Sequence, residues 1–178
     1  MNIRILYHGL GMAGKTTNLE KLKEIYSSYT VDRVHQQTKE GRTVYLDMLN
    51  LNIKTKVGNQ SLTVHLFTTP GQERFKMLRS WLFGGIDGLV FVLDSTRHIM
   101  ENLKAYQELS EYNISDTPVI IQANKRDKES ILPIDLIRKA FPNKTIIEAV
   151  ASQGLGVAET FKAILKEAIN AKHNLKRV

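Results

Sequence analysis

Three short runs of apolar residues, GLVFVLD, PVIIQA and TIIEA, constrain the fold of this chain more than any other feature. They occupy residues 88–94, 118–123 and 145–149, and stretches with helical periodicity lie between them. Strands that are apolar on both faces are typical of parallel sheets covered by helices on each side. The runs therefore predict an α/β domain built in three layers.

The first part of the chain extends this pattern with a strand over residues 3–8 and a helix over residues 15–27. Residues 44–56 and 61–68 alternate apolar with polar side chains around the turn-like VGNQ, and they predict a hairpin. Residues 28–42 are polar, and we expect an irregular loop there. The whole pattern predicts a six-stranded, mostly parallel sheet with one antiparallel edge strand. Further helices are predicted over residues 99–112, 134–141 and 157–172.

Composition bounds the possible functions. The chain has 178 residues, about one domain, and its lack of cysteine excludes disulfides, thiolate metal sites and thiol catalysis. The net charge is +7, but the lysines are spread over all predicted helices, as on a solvated surface.

No apolar run approaches the roughly 20 residues that span a bilayer, so we expect a soluble, cytoplasmic protein. We predict one domain over residues 1–172 and a short basic tail over residues 173–178 that makes at most weak electrostatic contact with a membrane. We predict no specific nucleic-acid partner.

The stretch GLGMAGKTT matches the Walker A pattern, Gly-x-x-x-x-Gly-Lys-Thr, and lies between a predicted strand and a predicted helix. In such a loop, backbone N–H groups and the helix N-terminus converge on phosphate oxygens. Lys15 would reach the β- and γ-phosphates, and the Thr16 hydroxyl would supply one ligand to Mg²⁺. The loop alone does not distinguish ATP from GTP, or a kinase from a hydrolase. The predicted phosphate-binding residues here are Gly9, Gly11, Met12, Ala13, Gly14, Lys15, Thr16 and Thr17.

The motif NKRD, residues 124–127, directly follows the buried run PVIIQA. It therefore lies at the carboxyl end of a strand, where ligands bind in open α/β sheets. A carboxylate can accept hydrogen bonds from both N1–H and the exocyclic amine of guanine, and adenine offers no such pair. Together with the phosphate loop, NKRD resembles the guanine motif of the small Ras-like GTPases. The resemblance implies that Asp127 reads the base, Lys125 lies along its face, and Asn124 ties this loop to the phosphate loop.

The segment TTPGQERF, which begins at Thr68, is similar to the Asp-x-x-Gly-Gln segment of the same family. The resemblance implies that the Gly71 N–H senses the γ-phosphate and that Gln72 orients the attacking water. Thr43 matches the threonine that binds Mg²⁺ when GTP is present. Arg42 matches an arginine finger that acts when a partner binds. Thr68 stands where most relatives carry the aspartate that holds Mg²⁺ through water.

Threonine at this position is characteristic of the prokaryotic MglA-like branch of the family, and GLGMAGKTTNLE, Arg42-Thr43 and NKRD also resemble that branch. The branch implies a roadblock-type homodimer as partner, which binds the GTP form and stimulates hydrolysis. The segment AVAS resembles the last nucleotide-contacting loop of the family. It implies that Ala151 donates its backbone N–H to guanine O6, with Ser152 beside it.

These patterns favour a switch that binds GTP or GDP with Mg²⁺ and hydrolyses GTP slowly until a partner stimulates it. A nucleotide-binding adaptor with little turnover is the alternative, supported by Thr68 and by Met12, where relatives often carry glycine. A P-loop kinase is disfavoured because Arg42 and Arg74 are too few and too scattered to form a lid. One apolar stretch is predicted to be partly core and partly partner surface, and it comprises Phe75, Met77, Leu78, Trp81, Leu82 and Phe83.

Overall fold

A computed structural model describes residues 1–35, 47–54, 61–69 and 82–175 of the chain. The described strands form one seven-stranded sheet with the order β2-β3-β4-β1-β5-β6-β7. The strands are β1 (Asn2–His8), β2 (Thr30–His35), β3 (Asp47–Lys54), β4 (Ser61–Thr68), β5 (Gly88–Asp94), β6 (Val119–Asn124) and β7 (Thr145–Glu148). The described α-helices are α1 (Lys15–Ile25), α2 (Ile99–Gln107), α3 (Ile134–Ala140) and α4 (Val157–Leu175).

The predicted fold class is confirmed. Strand β1 pairs in parallel with β4 and β5, and β5, β6 and β7 continue the parallel pairing. Strand β3 is antiparallel to both of its neighbours. A strand is present at each predicted position, although residues 44–46 and 55–60 of the predicted hairpin lie outside the described residues.

Strand β2 is an addition to the six predicted strands. It lies inside the polar segment that we expected to be irregular, and it pairs with the outer edge of β3 from Thr30↔Leu51 to His35↔Asp47. Its sequence, TVDRVH, carries too much charge to predict a strand by itself. The unpaired backbone groups along an edge strand are a template for pairing, so the tertiary neighbour supplies what the local pattern lacks. As a result, β3 is flanked on both sides.

The sheet separates two apolar cores, and β5 illustrates how. Val90 and Val92 face a core completed by α1 and α4, while Leu89, Phe91 and Leu93 face a core completed by α2 and α3. All seven residues of β5 are buried, as expected for a strand covered on both faces. Because the central strands are parallel, their carboxyl ends meet at one edge of the sheet, where the predicted motifs begin.

The second half of the chain follows the predicted pattern with shifted boundaries. Helix α2 is shorter than predicted, and a 3₁₀ turn over Glu108–Glu111 follows it. Leu82 and Phe83 are buried, which supports the core interpretation for these two residues. The other members of that apolar stretch lie outside the described residues. None of the described helices combines the length and hydropathy that crossing a membrane requires.

Tyr7 provides a test of the core. Its side chain on β1 is fully buried, burial raises its pKa, and no hydrogen-bond partner for its hydroxyl is present among the described residues. An unsatisfied buried hydroxyl costs about 1–3 kcal/mol. We therefore expect Tyr7→Phe to raise the free energy of unfolding by about 1 kcal/mol, measured by urea denaturation. The half-buried Tyr26 is the control, since Tyr26→Phe should change little; destabilisation by Tyr7→Phe would show that the hydroxyl is satisfied.

Candidate functional site

The loop between β1 and α1 has a backbone path that requires glycine at both of its ends. Gly9 has φ +147°, and a Cβ there would lie 2.3 Å from the carbonyl oxygen of Val92. Gly14 has φ +105°, and its Cβ would lie 2.3 Å from Asn124 Nδ2. These approaches exclude any side chain, so the loop is packed directly against β5 and against the NKRD segment. Met12 lies between them with φ 64° and 91% exposure.

Lys15 and Thr16 open helix α1 directly after this loop. Lys15 is buried, and its Nζ donates to the carbonyl oxygens of Gly9 at 2.9 Å and Leu10 at 2.7 Å. The ammonium group is thus held above the loop whose N–H groups would bind phosphate. The Thr16 hydroxyl donates to Oδ2 of Asp47, the first residue of β3.

Asp47 is a site residue that the motifs did not reveal. Its side chain is 1% exposed, and its backbone N–H donates to the Thr68 hydroxyl at 3.3 Å. A buried carboxylate therefore lies between Thr16 and the position where relatives carry aspartate. The available signal was strand periodicity, because Asp47 shares a face with Leu49 and Leu51, which are both buried. Aspartate is almost never fully buried unless it is paired, so an acidic residue on the core-facing side of a strand indicates a hydrogen-bonding or charged partner.

Asn124 at the end of β6 joins the two predicted motifs. Its Nδ2 donates to the carbonyl oxygen of Ala13 in the phosphate loop at 2.8 Å, and its Oδ1 accepts from the N–H of Ala151 at 2.9 Å. Asn124 is buried, so both bonds are shielded from water. Its position matches the tie to the phosphate loop that the resemblance implied. The donation from Ala151 to guanine O6 stays a prediction, since this N–H contacts Asn124 here.

Lys125 is paired with Asp94, a second residue that the motifs did not reveal. The Lys125 Nζ lies 2.7 Å from Asp94 Oδ2, and Thr96 donates to Asp94 Oδ1 through both its N–H and its hydroxyl. Burial by itself raises the pKa of Asp94, but the hydrogen bonds from Lys125 and Thr96 outweigh it and hold the pKa below its usual range. Asp94 is therefore ionised at neutral pH and anchors the Lys125 side chain. It ends the apolar run GLVFVLD, and that position was the available signal.

A cleft of about 320 Å³ lies between the two motifs. It opens beside the carboxyl ends of β5 and β6, where open α/β sheets bind ligands. Gly11 and Thr16 lie just outside this lining, in the loop and at the start of α1. The cleft is lined by Met12, Gly14, Thr17, Thr96, Asn124, Lys125, Asp127, Lys128, Ala151 and Ser152.

Four predicted site residues lie outside the described residues, namely Arg42, Thr43, Gly71 and Gln72. Their predicted roles stay predictions. The flanking residues Asp47, Thr68 and Thr69 are described, and all three are buried. Asp47 contacts both Thr16 and Thr68, so Asp47 and Thr68 lie on the Thr16 side of the site.

The donor set near Thr16 fits a magnesium ion shared with phosphates. Mg²⁺ prefers oxygen ligands and is usually held by one or two protein groups together with phosphate oxygens. The Thr16 hydroxyl and the Asp47 carboxylate are two such groups, already in contact. Within the described ranges, no cluster of three or more His, Cys, Asp or Glu side chains could hold a metal without such a ligand.

Comparisons with known proteins agree with this arrangement. The chain is 35% identical over 176 residues to the mutual gliding-motility protein MglA of Myxococcus xanthus, covering 93% of this chain and 90% of that protein. It is 29% identical over 173 residues to ADP-ribosylation factor-like protein 3 of Caenorhabditis elegans, covering 90% and 86%. A third relative, ADP-ribosylation factor-related protein 1 of Rattus norvegicus, is 26% identical over 147 residues, covering 79% and 68%. The sequence profile of the ADP-ribosylation factor family matches residues 1–172, and the chain belongs to this family of small GTPases, with an MglA-like sequence.

Proposed function

We propose that this protein is a GTP-dependent molecular switch that hydrolyses GTP to GDP and phosphate. The observation that carries the proposal is the pair of hydrogen bonds at Asn124. Its Nδ2 donates to Ala13 in the Walker A loop and its Oδ1 accepts from the Ala151 N–H, so the Walker A loop, the Asn-Lys-x-Asp motif and Ala151 meet at one cleft. Neither motif alone specifies the ligand. A phosphate loop and a carboxylate that can pair with guanine do so together, and both Gly14 and Asp127 line the cleft.

In this proposal the guanine base lies in the cleft between Lys125 and the loop that contains Ala151. Asp127 accepts from N1–H and the exocyclic amine, which gives specificity for guanine over adenine. The aliphatic stem of Lys125 covers the face of the base while Asp94 holds its ammonium group at 2.7 Å. Ala151 and Ser152 also line the cleft and would contact the base.

The phosphates would lie on the loop over residues 9–14, with Lys15 as the balancing cation. Lys15 is pre-positioned by its two carbonyl contacts and would exchange them for β- and γ-phosphate oxygens. Thr16 and Asp47 would hold Mg²⁺, and when bound the ion neutralises the charge that develops on the phosphates. We propose that Asp47 supplies the carboxylate that position 68 lacks. The Thr68 hydroxyl would then support Asp47 by accepting a hydrogen bond from the Asp47 backbone N–H.

Hydrolysis would depend on the segments that flank Asp47 and Thr69. Gln72 would orient the attacking water, and Gly71 and Thr43 would respond to the γ-phosphate, so that loss of that phosphate releases both segments. Arg42 would add positive charge at the transferred phosphoryl group when a partner engages. A roadblock-type homodimer remains the proposed partner, by resemblance to the MglA-like branch.

The same proposal covers the domain boundaries. Residues 1–172 would form the GTP-binding domain and residues 173–178 a short basic tail. Helix α4 continues to Leu175, so residues 173–175 of this tail belong to the last helix.

Single-turnover hydrolysis of GTP tests this function. The wild-type protein should convert bound GTP to GDP, and Gln72→Leu should slow this at least about tenfold, because the water loses its orienting group. Gln107→Leu, an exposed position on α2, is the matched control and should leave the rate unchanged. In the same assay Arg42→Ala should lower only the rate that the partner stimulates.

The alternative function is a nucleotide-binding adaptor with little turnover, and the missing carboxylate at Thr68 is the observation that favours it. Equal rates for the wild-type protein and Gln72→Leu, with tight GTP binding in both, would support the adaptor. Failure to bind GTP would contradict both functions.

A further inference from the structure

A set of buried polar side chains, two carboxamides and one hydroxyl, joins α1, β6 and α4 behind the phosphate loop. Asn18 Nδ2 donates to Gln122 Oε1 at 2.8 Å, and Gln122 Nε2 donates back to Asn18 Oδ1 at 2.9 Å. The second Nε2 hydrogen goes to the Thr160 hydroxyl at 3.0 Å, which in turn donates to the carbonyl oxygen of Gly156 at 2.6 Å. Asn18, Gln122 and Thr160 are fully buried.

The network reaches the phosphate loop through Asn18. The second Nδ2 hydrogen of Asn18 donates at 2.9 Å to the carbonyl oxygen of Gly14, which also accepts from the Asn18 backbone N–H at 3.0 Å. The preceding carbonyl, that of Ala13, accepts from Asn124 Nδ2 at 2.8 Å. Two consecutive carbonyl groups of the loop are therefore held by two buried carboxamides, which come from α1 and from β6.

Holding a carbonyl group also orients an N–H group. A trans peptide unit is planar, so its C=O and N–H bonds point in opposite directions. The carbonyl of Ala13 shares its unit with the N–H of Gly14, and the carbonyl of Gly14 shares its unit with the N–H of Lys15. Both carbonyls are drawn toward the protein interior, so both N–H groups point away from it, toward the side where phosphate would bind.

Strand β6 makes this arrangement possible. Gln122 and Asn124 are two residues apart, so their side chains lie on the same face of the strand. Asn124 contacts the loop directly, and Gln122 contacts it through Asn18. Thr160 anchors Gln122 to α4, the longest described helix.

We infer that Asn18 and Gln122 are positioning residues for the nucleotide, which fix the Gly14–Lys15 peptide so that the Lys15 N–H meets the β-phosphate. The inference rests on the proposed function, because it requires a phosphate on this loop. The Asn18–Gln122 pair contributes to the retention of GDP without touching the nucleotide. It acts on the diphosphate and not on the base.

A purely structural role is distinguishable from this one. A buried polar pair with every hydrogen bond made can be replaced by apolar groups of similar shape with little loss of stability. The double variant Asn18→Leu/Gln122→Met keeps the volume and removes both carboxamides. If the pair served only to fill the core, such a protein would bind GDP as the wild type does.

The test measures GDP release with a fluorescent analogue, the ³¹P resonance of the bound β-phosphate, and the affinity for GMP by competition. The double variant should keep the melting temperature of the wild type within a few degrees. It should release GDP about tenfold faster, the loss expected for one weakened hydrogen bond to a charged group. The β-phosphate resonance should shift, and GMP affinity should stay within about twofold because GMP has no β-phosphate.

Thr160→Val is the matched control, because it breaks the same network on the side away from the loop. It should lower the melting temperature and leave GDP release within about twofold of the wild type. Unchanged release and an unchanged resonance in the stable double variant would overturn the inference alone. Absence of GDP binding by the wild-type protein would instead refute the proposed function, and the inference with it.

Discussion

Asp127→Asn is expected to reduce the affinity for GDP about 100- to 1,000-fold. The carboxylate at this position would accept two hydrogen bonds from guanine, and an amide would turn one of these contacts into two opposed donors. Losing one hydrogen bond to a charged group and leaving two donors opposed corresponds to about 3–4 kcal/mol. The measurement is equilibrium titration with a fluorescent GDP analogue at fixed Mg²⁺.

The base specificity should change together with the affinity. Xanthine carries a carbonyl where guanine carries the exocyclic amine, so it can accept from the new amide of Asp127→Asn. The variant should therefore bind xanthosine diphosphate more tightly than GDP. Glu129→Gln removes the same charge from an exposed position two residues away, and it should bind GDP normally. Equal preference for GDP in both variants would exclude Asp127 as the base reader.

Asp47→Asn is expected to weaken the effect of Mg²⁺ on nucleotide retention about 10- to 100-fold, the range found when a group that supports a metal is lost. The amide oxygen can still accept from Thr16, so the fold around the hydroxyl should persist. The negative charge that attracts the cation is removed. The experiment follows GDP release while Mg²⁺ is titrated, and the midpoint should move to higher concentration.

Two further variants make the Asp47 prediction specific. Asp116→Asn neutralises an exposed carboxylate in the loop just before β6, and it should leave the midpoint unchanged. Adding Thr68→Asp to Asp47→Asn should restore part of the Mg²⁺ dependence, because it returns a carboxylate to the place where most relatives carry one. A midpoint for Asp47→Asn within about twofold of the wild type would remove Asp47 from the metal site.

The main features of the fold could be predicted because, in these elements, the local sequence pattern matches the environment that each element has in the folded protein. The run GLVFVLD is apolar at each of its first six positions, and only a strand covered on both faces buries all of them. The motifs at Gly14 and at Asn124 follow such strands, so their positions at one edge of the sheet follow from parallel pairing. Spacing along the chain was enough for these features.

Strand β2 and Asp47 show where local pattern was insufficient. The segment TVDRVH forms a strand because it pairs with the edge of β3, and this pairing cannot be predicted from the segment alone. The role of Asp47 could not be predicted for a related reason. That role depends on its hydrogen bond with Thr16, which is 31 positions away along the chain.

Local patterns were enough to predict the three-layer α/β fold, the phosphate loop and the guanine motif, because periodicity and motif spacing are properties of neighbouring residues. Contacts between distant segments established which side chains support those motifs. Asp47 beside Thr16, Asp94 beside Lys125, and Gln122 beside Asn18 are pairs of distant residues. Their roles depend on burial and on complementary polar atoms meeting at hydrogen-bond distance, and packing of the sheet against its helices creates both conditions.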